Sequence, residues 1–185
     1  VKAAAGGPGA VRRYHPVLVV LHWLVAALVL LGLVMGTFFL SALPNSSPDK
    51  IGALQGHMVA GGVILVLTLL RWVVRRVTVH PPSAPTGIAL ADRLAPLAHG
   101  AMYLAVLAMA GSGIAMSIAA GLPAIVFGGQ GSLPADFSHL AARSVHGVVA
   151  KVLIALVVLH VAAAVYHQWV RRDGLLARMG FGSRR

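Results

Sequence analysis

Nine histidines in 185 residues are the side chains best able to do chemistry, and five of them, His22, His57, His99, His146 and His160, sit well inside apolar runs. A polar ring in a hydrocarbon layer is costly, so its presence points to a ligand, a proton or a bond between helices. His146 and His160 are fourteen residues apart in one run. At 1.5 Å and 100° per residue they stand about 21 Å apart along a helix and only about 40° apart around it. One face therefore offers a histidine at two depths, and His167 continues the stripe seven residues further on. His15, His80 and His139 fall at boundaries or in connections, where solvation accounts for them.

The elements that must position these rings follow from composition. The chain is 58% hydrophobic and only 10% charged, against roughly a quarter charged in an ordinary soluble domain. Four stretches reach the ~20 apolar residues that a membrane helix needs: about 16–40, 52–74, 94–120 and 144–170. The connections SALPNSSPDK, HPPSAPT and GLPAIVFGGQGSLP are short and rich in turn residues. An all-α, integral membrane, antiparallel four-helix bundle is expected, with a four-span domain over 13–179, a disordered segment over 1–12 and a basic tail over 180–185. The first apolar run is too long for the core of a signal peptide and is read as a span.

The net charge of +11 comes from 15 Lys and Arg against 4 Asp and Glu. Twelve cations (Lys2, Arg12, Arg13, Arg71, Arg75, Arg76, Arg93, Arg171, Arg172, Arg178, Arg184 and Arg185) fall on one side of the four spans. Lys50, Arg143 and Lys151 fall on the other. The crowded side is expected to be cytoplasmic, with both termini inside a bacterial inner membrane. The basic clusters are thus topology rather than a nucleic-acid surface.

Depth sorts the histidines into two layers. His57 and His146 lie towards the outer face, and His22 and His160 lie deeper, so each layer takes one ring from each of two helices. Two imidazoles facing across a bundle can take both axial positions of a haem iron. Haem b needs no Cys, and the chain has none, which excludes disulfides, iron–sulfur clusters and covalent c-type haem. A lone buried histidine often serves only as an interhelical bond, but four in two matched layers favour two haems b. The acids Asp49, Asp92, Asp136 and Asp173 fall at edges or in loops, which argues against a carboxylate-driven transporter. His99 stands at a depth like that of His22. It is the alternative partner of His160, or a group for a haem propionate or a substrate. Gly32, Gly36, Gly61, Gly62, Gly111, Gly113 and Gly147 suit close helix packing and equally the approach of a flat macrocycle.

These residues carry a resemblance. RYHPVLVVLHWLVAALVLLGLVMG from Arg13 resembles the opening of the bacterial cytochrome b-561 family. HMVAGG from His57, ending in LLRWVVRR, is similar to its second helix, and His146-Gly, LHVAAA around His160, then His167 and RRDGLLARM are similar to its fourth helix and tail. The resemblance implies a four-helix bundle with two haems b on His22, His57, His146 and His160. It also implies oxidation of superoxide at the periplasmic face and reduction of ubiquinone near the cytoplasmic side. The alternative it implies is a haem-bearing anchor that passes electrons between a partner dehydrogenase or hydrogenase and quinone. A protein partner or a homodimer is compatible with either.

On that reading Lys50, Arg143 and Lys151 are the cations available to draw in an anionic substrate, with Lys151 also placed to meet a propionate or a lipid headgroup. His167 and His99 are the candidates for a quinone, His167 as proton donor or partner of a carbonyl. Trp23 and Trp169 read as interfacial or packing aromatics.

Overall fold

The computed structural model describes residues 12–83 and 85–180. The expectations for 1–11 and 181–185, which include Lys2, Arg184 and Arg185, lie outside the described residues. The protein is all-helical, with four helices long and apolar enough to cross a membrane: Pro16–Leu40, Asp49–Val77, Asp92–Ala119 and Ala141–Arg171. This is the class of a four-helix membrane bundle.

Local chemistry explains where each helix begins and ends. Helix α1 (Pro16–Val34) opens on a proline, whose missing N–H costs nothing there. The N–H of Val17 donates to His15 Nδ1 at 3.3 Å, so His15 caps this helix. The chain then widens into a π-helical turn, Met35–Leu40. Helix α2 (Asp49–Val77) starts where Ser47 Oγ accepts from the Asp49 N–H at 3.3 Å. It carries Asp49 in its first turn and Arg75 and Arg76 in its last, each matched to the helix dipole. Helix α3 (Ala89–Ala119) begins near Thr86, whose hydroxyl accepts from the Ile88 N–H at 3.0 Å, while Asp92 Oδ1 accepts from the Thr86 N–H at 2.6 Å. Gly121, at φ +64°, ends the run and leads into a short helix α4 (Leu122–Val126). Helix α5 (Ala141–Val165) passes into a second π-helical turn, Tyr166–Arg171, and a 3-10 turn, Leu175–Met179.

Two compact units account for the described chain. The first holds described residues from 12–25, 67–103 and 155–180; the second holds 26–66 and 104–154. In the second, α4 buries Leu122 and Val126 against Leu54, with Leu40, Met58, Leu133 and Phe137 around them. The connection after α3, which reads as loop in the sequence, therefore carries a packed helical turn. In the first, Leu18 and Val19 are fully buried. Outward positions are apolar too: Phe38, Leu104, Ile118 and Val158 are each more than 60% exposed. Such surfaces are stable against lipid chains and not against water.

Candidate haem-binding site

In the second unit His57 on α2 faces His146 on α5, with ring centroids 6.2 Å apart and planes at 74°. Two glycines make room for these rings. A Cβ on Gly36 would lie 3.3 Å from His57 Cε1, and one on Gly113 would lie 3.4 Å from His146 Cε1. Ser112 orients the second ring. Its hydroxyl donates to the Ala108 carbonyl at 2.7 Å, which leaves Oγ to accept from His146 Nδ1–H at 3.1 Å. That bond fixes the proton on Nδ1 and frees Nε2 as a donor to a metal.

In the first unit His22 on α1 faces His160 on α5 at 6.3 Å, with planes at 71°. His99 on α3 is nearer to His160, at 5.4 Å. The His99 Nδ1–H donates to the Ala95 carbonyl one turn back at 2.7 Å. Arg71, half-buried on α2, donates through Nη1 to the Tyr103 hydroxyl and lies with its Nη2 3.5 Å from His22 Nδ1.

The pair spacing can be tested against a metal. An iron held axially by two imidazoles needs about 2 Å to each nitrogen and about 1.1 Å more to each ring centre, which puts the centroids about 6.3 Å apart. The pairs His57–His146 and His22–His160 match this spacing, whereas His99–His160 is too close for an iron between the rings. Rotation of a ring about the axis leaves the distance unchanged, so the steep interplanar angles are no obstacle. Among the described residues no group of three or more His, Asp or Glu could hold a bare metal ion. Two imidazoles are too few for such an ion but suffice for an iron whose other four ligands come from a macrocycle.

The remaining candidates are placed as follows. Lys50 is only 6% exposed, and its ammonium donates to the carbonyls of Leu40 and Leu43, both at 2.7 Å, tying down the end of the first π-helical turn. Its charge is thus directed to backbone. Arg143 and Lys151 are exposed. His167 is buried, with Nδ1 2.5 Å from Asp173 Oδ2. This bond, followed by one from the Leu175 N–H, holds the Asp173 carboxyl below its usual range. Trp23 does more than pack: its indole N–H donates to the Met179 carbonyl at 3.0 Å and ties the tail to α1. Trp169 is exposed. In the sequence Arg71 reads only as a topological charge, and Tyr103 attracts no reading. The signal for Arg71 is its place six residues inside the end of α2.

The family model for prokaryotic cytochrome b561 matches residues 13–182. Cytochrome b562 of Cereibacter sphaeroides is 31% identical over 170 residues, covering 90% of this chain and 94% of that protein. Cytochrome b561 homolog 2 of Escherichia coli K12 is 30% identical over 179 residues, covering 91% of each. The chain therefore belongs to the prokaryotic cytochrome b561 family, a family of b-type haem proteins that carry electrons across membranes.

Proposed function

We propose that the protein oxidises superoxide at the periplasmic face of the bacterial inner membrane and reduces ubiquinone near the cytoplasmic face, with one haem b on His57 and His146 and a second on His22 and His160. The observation that carries the haem part of this reading is the pair of ring separations, 6.2 and 6.3 Å, both suited to an iron between the rings; the choice of superoxide and ubiquinone follows the family resemblance. Haem b held by these imidazole pairs would supply one-electron transfer. The overall reaction balances: two superoxide anions give two dioxygen molecules and two electrons, and a quinone takes both electrons with two protons to become quinol.

The chain's own residues supply the rest. Arg143 and Lys151 are exposed cations of the second unit, suited to raise the local concentration of a small anion. Lys50 holds the end of the first π-helical turn rather than offering a free charge. In the first unit the Asp173 carboxylate accepts from His167 Nδ1 and holds the ring in place as the group to bond a quinone carbonyl or supply it a proton. His99, with Nδ1 already bonded to Ala95, presents Nε2 as a second contact for quinone.

Stopped-flow mixing of the purified protein with superoxide, with and without ubiquinone, tests the reading. Rapid haem reduction, followed by reoxidation only when quinone is present, is expected. A haem-loaded protein inert to superoxide, or one that copurifies with a large dehydrogenase and is reduced only through it, would favour the anchor-subunit alternative.

A further inference from the structure

Arg71 is a cation in a membrane span with an unfilled valence. Its Nη1 donates to Tyr103, and its Cζ lies 5.3 Å from the centre of that ring. Its Nη2 reaches only His22 Nδ1, at 3.5 Å, and its Nε is buried with no partner. One turn earlier on the same face of α2, the Thr68 hydroxyl is also buried and unpartnered, on a residue 3% exposed. Among the described residues no carboxylate lies within ion-pair distance of Arg71. A charge and two donors left unmatched in a low-dielectric interior are strongly unfavourable, so this face of α2 calls for an anionic acceptor.

The contact with His22 says what kind of acceptor. If Arg71 donates to His22 Nδ1, the ring proton sits on Nε2, and that nitrogen cannot bind iron. Ligation through Nε2 puts the proton on Nδ1, which then opposes Arg71 Nη2 as donor against donor. A carboxylate resolves the conflict, because it draws the guanidinium away in a bidentate pair. It also accepts from Nε and from the Thr68 hydroxyl.

We propose that Arg71, with Thr68 and Tyr103, anchors a propionate of the haem held by His22 and His160. The inference rests on the haem reading given above. It adds a consequence for redox chemistry: a guanidinium beside the haem stabilises the state with one more electron, so Arg71 raises the potential of that haem alone.

The test is potentiometric titration of purified protein in lipid-free detergent, with the haem-to-protein ratio measured alongside. In Arg71→Gln one of the two couples is expected to move to lower potential, or its haem to be lost, while the other couple stays in place. Arg71→Lys keeps the charge without the fork and is expected to fall between Arg71→Gln and the native protein. Tyr103→Phe and Thr68→Val, which keep shape, are expected to lower the same couple by less, and they decide the matter if Arg71→Gln loses both haems. Full haem content with both couples unmoved in Arg71→Gln, or in that last case in the two milder variants, would overturn the proposal. So would a shift that appears only when phosphatidylglycerol is added back, which would assign the anion to a lipid headgroup. A native protein without haem would instead sink the reading on which the proposal rests.

Discussion

His167 Nδ1 and Asp173 Oδ2 meet at 2.5 Å across the end of the last membrane helix. The second π-helical turn and Arg172, the only non-glycine with positive φ among the described residues, fold the chain back so that a carboxylate six residues on reaches a buried ring. If this pair delivers protons to quinone, Asp173→Asn should slow quinone reduction roughly tenfold, as loss of a bond that orients a ligand or base commonly does. His167→Gln should slow it roughly a hundredfold, in the range for removal of a general acid. The readout is haem reoxidation by quinone as a function of pH. The acid limb, set by protonation of the Asp173 carboxyl, should be absent in Asp173→Asn, while reduction by superoxide stays unchanged.

The same contact gives a dependence of stability on pH. The Asp173 carboxyl is held below its usual value, first by the bond to His167. A carboxyl with a lowered folded-state value contributes stability above the unfolded value, about 3.9, and loses that contribution as pH falls through the folded value. Acidification below about pH 4 should therefore loosen the tail. Trp23 reports it directly, because its indole N–H is bonded to the Met179 carbonyl. A change in its fluorescence should follow acidification in the native protein and vanish in Asp173→Asn, with Trp23→Phe identifying the signal.

Much of this was legible in the sequence, for a physical reason. Membrane spans announce themselves by length and apolarity, so Pro16–Leu40 matches the expected first span to the residue. The second, third and fourth spans differ from expectation by a few residues at most of their ends, where caps such as Ser47 and Thr86 decide the boundary. Depth along the helices also predicted that His57 would face His146 and that His22 would face His160. The two π-helical turns were not legible, because they depend on backbone bonding that no residue type signals. Nor was the role of Lys50, which looks in the sequence like a free cation. Its stem folds inward because the carbonyls of Leu40 and Leu43 lie within reach.

Glycine positions separate steric need from simple packing. A Cβ at Gly36 would meet His57 Cε1 at 3.3 Å, whereas one at Gly32 would meet only Ile64 Cδ1 at 3.7 Å, an ordinary contact. Gly36→Val adds two more carbons against the ring and should displace His57, at a cost of about 1–3 kcal/mol typical of overpacking. Loss of one haem per chain is expected in Gly36→Val, with both haems kept in Gly32→Ala. Equal haem content in the two variants would contradict the crowding argument.

If superoxide is the electron donor, as proposed, charge at the surface of the second unit should set the rate of encounter with it. Arg143 and Lys151 are exposed, while Lys50 is committed to backbone carbonyls. Reversing both exposed charges, with Arg143→Glu and Lys151→Glu, should lower the second-order rate of haem reduction by about tenfold at low salt, a modest share of what steering can supply. The difference should shrink as salt screens it. Lys50→Met should behave differently, lowering thermal stability by loss of two bonds to half-buried carbonyls, each about 1 kcal/mol. A rate effect of Lys50→Met equal to that of the double reversal, at unchanged stability, would return Lys50 to the role of a steering charge.

The strongest division the structure makes is between the two histidine pairs, and single substitutions can read it. His57 and His146 belong to the second unit, and His22 and His160 to the first. If each pair holds a haem as proposed, replacing either member by Ala leaves one axial imidazole, so that haem should be lost or turn high-spin while the other keeps its low-spin spectrum. His57→Ala and His146→Ala should therefore show the same defect, His22→Ala and His160→Ala the other, and the two defects should differ in the potential of the couple that survives. His99→Ala is the discriminating variant. Its ring is 5.4 Å from His160, too near to leave room for an iron, so it should keep both low-spin haems. If His99→Ala gives the same spectrum as His160→Ala, and His22→Ala keeps both haems, then His99 is the ligand and the first unit must open around α3 to admit it.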